Sequence, residues 1–239
     1  MRKSQRVILG LLGIVVGLMV VVAIWVWATG ERPPELSGER ATRTYDFADF
    51  DGVDVTGQWQ VTIERGDAWR VSIDVPAEVA DLVRVERGGD VLHLAYAFRF
   101  GGFTRGGFGG IDGERPFQAT ITMPALEALS HHGASQLSFS GFDGGTLSLN
   151  LSGAVALTGA ASRFDTLTLD LSGAGSVNLA DVPVTDANVD ISGAASVTLR
   201  MAGGRLSGDL SGTANLEYFG NVSEETIDRS GFVNVRRRN

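Results

Sequence analysis

Five acidic or amide side chains recur at nearly equal spacing in the C-terminal half of the sequence. They are Asn150, Asp170, Asp190, Asp209 and Asp228, each followed three residues later by glycine. Oxygen ligands in a row suit calcium, but the glycine-rich nonapeptide repeat of calcium-binding β-rolls is missing. We therefore expect an exposed polar column and no metal site, and keep a calcium column as the alternative.

The remaining candidates for chemistry are three histidines, His93, His131 and His132. Adjacent residues of a strand point to opposite faces, so His131 and His132 cannot bind one ion together. No nucleophile elbow, metalloprotease motif or phosphate-binding loop occurs. The absence of cysteine excludes disulfides, thiolate metal sites and cysteine nucleophiles. We predict no catalytic residues and no cofactor. A polysaccharide-active β-helix enzyme stays open, because its site would combine distant coils without a local motif.

The polar column belongs to a tandem repeat of about twenty residues, a period typical of solenoids. The repeat is marked by glycines spaced 20, 20, 20, 19 and 19 residues apart, which we predict to be structural corners: Gly133, Gly153, Gly173, Gly193, Gly212 and Gly231. A glycine kept at every corner fits a position that needs positive φ or close approach of two backbones.

Each repeat predicts a strand, a glycine corner and a second short strand. Before the corner the sequence alternates, as in Leu147, Leu149 and Leu151 against Ser148, Asn150 and Ser152, so one face is buried and the other is wet. The serine two residues after each Asp or Asn is expected to donate a hydrogen bond at the corner. Twenty residues are too few for a βαβ unit. We predict an all-β parallel solenoid, regular from about residue 130, whose irregular first and last units, around Gly133 and Gly231, are its caps.

The N-terminus predicts a membrane anchor. Three cations in residues 1–6 precede residues 7–28, which carry no charge and are long enough to span a bilayer as a helix. A cleaved signal peptide is the alternative. We expect a cytoplasmic stub at 1–6, a signal anchor at 7–28, a linker at 29–42 and an extracytoplasmic β-solenoid at 43–239. This topology predicts a single-pass protein of a bacterial inner membrane, with its C-terminal domain in the periplasm or outside the cell.

Between the linker and the repeats, alternating segments predict further strands up to about residue 124. Residues 76–83 are the one predicted helix. Residues 100–113 contain seven glycines and are expected to form a mobile loop. The ending at residues 236–239 is expected to be a solvated tail, or else a clamp on acidic groups at the end of the stack or on anionic lipid.

The net charge of the chain limits the kinds of partner that we expect. The chain has 28 Asp and Glu against 20 Lys and Arg, and an acidic surface repels phosphate backbones. We therefore do not expect nucleic acid as a partner. The partners that we expect are the membrane, which the N-terminal helix would contact, and either an envelope protein or a glycan.

Three segments together resemble a known family. They are FDGVDVTGQWQVTIERG at 50–66, ITMPALEAL at 121–129 and the Leu-Ser-Gly-Ala repeats, and over residues 45–235 they are similar to the family described as "putative auto-transporter adhesin, head GIN domain". The resemblance implies a bacterial envelope protein with a right-handed parallel β-helix and no established enzymatic activity. The expected function is a membrane-anchored, adhesin-like binding or structural module.

Overall fold

The computed structural model describes residues 38–96 and 117–238. The predicted stub at 1–6, the anchor at 7–28, the glycine-rich loop at 100–113 and most of the linker at 29–42 lie outside this part of the chain. Among the described residues, no helix has the length and apolar character needed to cross a bilayer. The first strand begins at Arg40, within the segment assigned to the linker.

All strands of the described residues belong to one sheet of twelve strands. In chain order they are β1 Arg40–Tyr45, β2 Gly52–Gly57, β3 Trp59–Arg65, β4 Arg70–Pro76, β5 Val83–Gly88, β6 Val91–Tyr96, β7 Phe117–Met123, β8 Ala128–Ser140, β9 Asp143–Ala160, β10 Arg163–Ala202, β11 Arg205–Asn221 and β12 Glu224–Arg238. The predicted all-β solenoid is confirmed, with about six turns.

The solenoid is built by parallel pairing of each repeat with the next, from β8 to β12. The long strand β10 carries two successive coils, one around Gly173 and one around Gly193. Its interior is apolar as predicted, because the alternating positions stack in register, with Leu147, Leu149 and Leu151 opposite Leu167, Leu169 and Leu171. All six leucines are buried. This continuous column of side chains is the core of the domain.

The N-terminal end differs from the prediction. Strand β2 pairs in parallel with β8 and brings Gly57 opposite Gly133, so the unit around Gly133 lies inside the stack and its expected role as the cap is wrong. Strands β6 and β7 continue the parallel ladder on β2 and β3. The antiparallel strands β1, β4 and β5 then complete this end.

The predicted helix at residues 76–83 forms as a 3-10 helix at Ala77–Leu82. Its buried residues, Val79 and Ala80, are adjacent in sequence, whereas an amphipathic α-helix buries residues three and four apart. Six residues between two strands form a short connector, for which 3-10 geometry is common.

The last coil places charges where the preceding coil has leucines. Glu225 lies opposite Leu206 and Arg229 opposite Leu210 in the β11–β12 register. Their side chains form an ion pair of 3.2 Å, and the Tyr218 hydroxyl donates to Glu225 over 2.6 Å. Burial and the Glu225 carboxylate raise the pKa of Tyr218 to about 12, so the hydroxyl stays protonated and can donate.

The arginines near the C-terminus belong to β12 and do not form a solvated tail, because the strand continues to Arg238. Arg238 makes two contacts of 2.9 Å with the Glu217 carboxylate of the preceding coil. Arg237 donates to the side chain of Asn221. Arg238 therefore fits the alternative prediction, which is a clamp on acidic groups at the end of the stack.

Candidate polar groove

The parallel register brings the predicted polar column together. Asn150 lies directly opposite Asp170, and Asp209 lies opposite Asp228. The column also extends beyond the predicted residues, because Ser130 lies opposite both Asn150 and Asp54, and Asp54 lies opposite His93. A row of polar side chains therefore follows the solenoid axis at intervals of about 4.8 Å.

An open groove of about 480 Å³ runs along this column. One wall carries the Asp and Asn side chains and the other carries the serines that precede the corner glycines. The groove is lined by His132, Asn150, Leu151, Ser152, Asp170, Leu171, Ser172, Asp190, Ile191, Ser192, Asp209 and Ser211. We call these residues the polar groove.

Two of the corner serines donate the hydrogen bonds that the sequence predicts. Ser152 Oγ donates to the main-chain oxygen of His131 over 3.2 Å, and Ser211 Oγ donates to that of Ile191 over 3.1 Å. Both bonds join one coil to the preceding coil next to the corner. Ser152 and Ser211 are thus fixed to the backbone of the preceding coil.

Hydrogen bonds offset the repulsion between stacked carboxylates, which is about 1 kcal/mol for two charges 4 Å apart in water. One Asp190 oxygen accepts from the Asp209 amide over 2.9 Å. The other accepts from the Asn188 side chain over 2.9 Å. Both oxygens of the Asp190 carboxylate are thus hydrogen-bonded, so this part of the acidic wall is compatible with the fold.

The calcium alternative finds no support in the geometry. Within residues 38–96 and 117–238, no three His, Asp or Glu side chains are grouped so that they could hold a metal ion. The column residues are one strand apart and lie on a single line, whereas calcium is surrounded by six to eight oxygens at about 2.4 Å. The expectation of no metal site stays a prediction.

The six corner glycines all have positive φ, between 89° and 140°. They also approach the preceding coil closely: a Cβ on Gly173 would lie 2.4 Å from the Gly153 carbonyl oxygen. Both physical reasons offered for glycine at the corner are therefore present in the structure. Gly57, at φ 112°, is a seventh member of this column that the repeat alignment missed.

The two adjacent histidines point to opposite faces, as predicted. His131 is fully buried, with 0% exposure, and occupies the apolar column between Val55 and Leu151. Neither ring nitrogen has a hydrogen-bond partner. Burial, together with the nearby His132, lowers the pKa of His131, so the ring is neutral in the folded chain.

His132 is exposed and closes one end of the polar groove. Its Nδ1 lies 2.7 Å from Ser152 Oγ, a distance at which histidine can act as a base toward serine. The Ser152 proton is directed to the His131 carbonyl, however, and Ser211 makes the same bond without a histidine neighbour. The Ser152 bond to the carbonyl is therefore a property of the coil, and the direction of the contact between His132 Nδ1 and Ser152 Oγ depends on the His132 tautomer.

His93 pairs with Asp54 through Nδ1 and Oδ2, which are 3.0 Å apart. The other Asp54 oxygen, Oδ1, is buried and has no hydrogen-bond partner. In the ladder the carboxylate lies between His93 and Ser130. A nucleophilic triad needs the histidine between serine and carboxylate, so this order does not form one.

Most aromatic residues of the repeats face the interior. Phe139, Phe142, Phe164 and Tyr218 are buried, and the first and third of these rings are in edge contact at 6.1 Å. Phe219 is half-buried beside Arg200, and Phe232 is 85% exposed. The polar groove therefore has no aromatic surface on which a sugar could stack.

One signal in the sequence could have located the missed coil. Residues 54–57 read Asp-Val-Thr-Gly, which matches Asp-Leu-Ser-Gly at 170–173 in type and order. Alignment on the corner glycine would also have placed His131 in the leucine column, because it precedes Gly133 by two residues as Leu151 precedes Gly153.

The fold and the groove define a β-solenoid with a repeated polar face. The family described as "Putative auto-transporter adhesin, head GIN domain" matches residues 49–222, and the chain belongs to this family. The resemblance inferred from the three sequence segments is thereby confirmed. No functionally curated protein matches the chain.

Solved structures share the fold at low sequence identity. A putative adhesin from Bacteroides fragilis NCTC 9343 is 14% identical with a TM-score of 0.63, over 86% of this chain and 100% of that one. A putative lipid binding protein from Parabacteroides distasonis ATCC 8503 is 15% identical with a TM-score of 0.52, over 87% and 100%. These likenesses concern the fold alone.

Proposed function

We propose that this chain is a non-catalytic, adhesin-like binding module that holds a basic, extended segment of another envelope protein in the polar groove. The observation that carries the proposal is the groove itself, in which three successive coils each supply a carboxylate beside a row of hydroxyls. Solenoids present long repeated surfaces of this kind to their partners.

The charge of the groove favours a basic partner. Asp170, Asp190 and Asp209 line it, and the whole chain has a net charge of −8. Complementary charge raises the association rate and selects the partner. The aromatic side chains that stack against sugars are turned inward, which makes a glycan the weaker candidate.

The N-terminal sequence supports a membrane tether for this module. Residues 7–28 carry no charge and follow three cations, and this pattern orients a signal anchor with its N-terminus in the cytoplasm. We propose a single-pass inner-membrane protein with its solenoid in the periplasm or outside the cell, wound in the right-handed sense that the family resemblance implies.

Binding of an oligolysine peptide to the full chain in detergent tests the groove. We expect the double substitution Asp170→Asn and Asp209→Asn to weaken binding at least tenfold, about 1.4 kcal/mol, because it removes two groove charges and keeps the side-chain shapes. The affinity of the unchanged chain should fall as salt is raised, and that of the variant should fall less. Isothermal titration calorimetry measures both.

The matched control is Asp143→Asn with Asp165→Asn, which removes two exposed charges outside the polar groove. It should bind the peptide almost as the unchanged chain does. Equal weakening by both pairs would show that only net charge matters and would overturn the groove proposal. Binding of neutral chitin oligosaccharides in place of the peptide would identify a glycan partner instead.

A polysaccharide-active or other hydrolytic enzyme is the second candidate, favoured by one observation: the 2.7 Å contact of His132 with Ser152 inside the groove. Because the Ser152 proton is bound to a carbonyl, we expect no labelling of this serine by a fluorophosphonate at neutral pH. Mass spectrometry of the treated chain provides the measurement. Labelling that Ser152→Ala or His132→Gln abolishes would establish an activated nucleophile and refute the non-catalytic proposal.

A further inference from the structure

The outer edge of β12 has no strand partner among the described residues. In the order of the sheet β12 is terminal and pairs with β11 alone. Its fifteen residues therefore present a free row of backbone donors and acceptors. Exposed edges of this length pair with other chains unless they are blocked.

The sequence of this edge matches its own reverse about Gly231 at two inward-facing positions, whereas a third position places Arg229 opposite Val233. When two copies run antiparallel with Gly231 on the two-fold axis, Glu225 of one chain lies opposite Arg237 of the second copy, and Ile227 lies opposite Val235. Residues directly opposite in an antiparallel pair project to the same face. Ile227 and Val235 both pack against the core cluster of their own chain, so the apolar interiors would join across the interface.

The residues that face outward in the same register are also compatible with the pairing of two copies. Asp228 lies opposite Asn234 of the second copy, and Ser230 lies opposite Phe232. The two copies of Phe232 then become diagonal neighbours beside the axis, within reach of one another. This pairing accounts for an aromatic side chain that is 85% exposed in the single chain.

Contacts within one chain leave this interface available. The Glu225 carboxylate accepts from Tyr218 and Arg229, and a carboxylate has about four acceptor positions. Arg237 uses one of its donors on Asn221 and has about four more. Glu224 and Arg238 are held by ion pairs to the preceding coil and are not needed for the pairing.

We infer that β12 is the interface of an isologous dimer, in which two solenoids join end to end through antiparallel pairing of their last coils about Gly231. A two-fold interface uses the same surface on both copies, and the reversal of charge and apolar residues about one glycine satisfies that requirement. The charged residues in the last coil then cap the open end of a single chain and recognise a second copy.

Cysteine cross-linking tests the register, because the chain contains no cysteine of its own. Asp228→Cys and Asn234→Cys are prepared as separate full-length chains in detergent, mixed, and oxidised with copper phenanthroline. Opposite Cα atoms of an antiparallel pair are about 5 Å apart, within disulfide range. We expect a reducible dimer in most of the mixed protein and little in either variant alone, since two copies of residue 228 would be about 20 Å apart.

The control mixes Thr226→Cys with Asn234→Cys, which displaces one thiol by two residues along the strand and beyond disulfide range. It should cross-link several-fold less. Equal cross-linking in both mixtures would overturn the register, and none in either would overturn the dimer. Sedimentation of the unchanged chain gives a second readout: a single-chain mass at about 100 μM, on the order of a transient interface's dissociation constant, would also refute the proposal.

Discussion

Gly173→Ala should lower the free energy of unfolding by on the order of 4 kcal/mol. Two effects add at this corner. The residue has φ +122°, and strain of a non-glycine residue in such a conformation costs about 1 to 3 kcal/mol. The new Cβ would also lie 2.4 Å from the Gly153 carbonyl oxygen, and overpacking costs about 1 to 3 kcal/mol more. Urea unfolding of the detergent-solubilised chain, followed by circular dichroism, measures the change.

Two other glycines separate these effects. Gly203 has φ +109° but open space around its Cβ position, so Gly203→Ala should show only the strain of about 1 to 3 kcal/mol. Gly145 has open space and no positive φ, and Gly145→Ala should stay within about 0.5 kcal/mol. If Gly173→Ala were no worse than Gly203→Ala, close stacking of the coils would not be the reason for glycine at the corners.

His131→Leu should stabilise the chain by about 1 to 3 kcal/mol at neutral pH, the usual cost of a buried polar group without a partner. The ring is fully buried and both nitrogens lack partners. Leucine would continue the column formed by Val55 and Leu151 on either side. Thermal melting of the two chains under identical conditions gives the comparison, and a lower melting temperature for the variant would contradict this account of the site.

The same substitution should remove a pH dependence. The pKa of His131 is lowered in the folded chain, chiefly by burial and then by His132, while the nearby main chain of Ser152 and Gly57, and then Asp54, act in the opposite direction. The unfolded chain therefore binds the proton first. Stability from the neutral ring is fully present above the unfolded pKa of about 6.5 and is lost as pH falls from there through the lowered folded pKa.

Melting between pH 7.5 and 5 should thus show a steeper loss of stability in the unchanged chain than in His131→Leu. His93 and His132 are present in both chains, so the difference between the two curves isolates residue 131. Parallel curves would show that the buried ring carries no linkage to folding. His132→Gln, at an exposed position, removes the smaller of the two causes that lower the His131 pKa, and should therefore reduce the slope only in part.

The repeats were predictable because each coil contains the same local information. Leu167, Leu169 and Leu171 alternate with polar residues, and the glycine that follows marks the corner. Parallel stacking in register is then the arrangement that buries every leucine column. The interior and the polar column follow from period and alternation alone.

The N-terminal end of the domain was harder to predict, because other strands interrupt its coils in the sequence. Strands β2 and β3 form one level with Gly57 at the corner, but β4 to β7 intervene before the chain returns in β8. Long-range parallel pairing of β6 with β2 and of β7 with β3 leaves no fixed period in the sequence. Antiparallel closure by β1 and β4 likewise depends on contacts between distant segments.

The groove was predicted as a column of residues but not as a concave surface. Its depth depends on the bend at the corner glycines, and the direction of that bend is set by positive φ at each one. The charges inside the last coil were also not predicted, because Glu225 and Arg229 look like ordinary surface residues in the sequence. Only the register places them opposite Leu206 and Leu210.

Close contact between successive glycines has a consequence for how this molecule can change in length. Each coil fits its neighbours only when glycine meets glycine, as in the pairs Gly153 with Gly173 and Gly193 with Gly212. Partial insertions would break that match, whereas duplication of a complete coil would preserve it and extend the domain by one strand spacing, about 4.8 Å. The length of the polar groove is therefore set by the number of coils, in steps of one strand spacing.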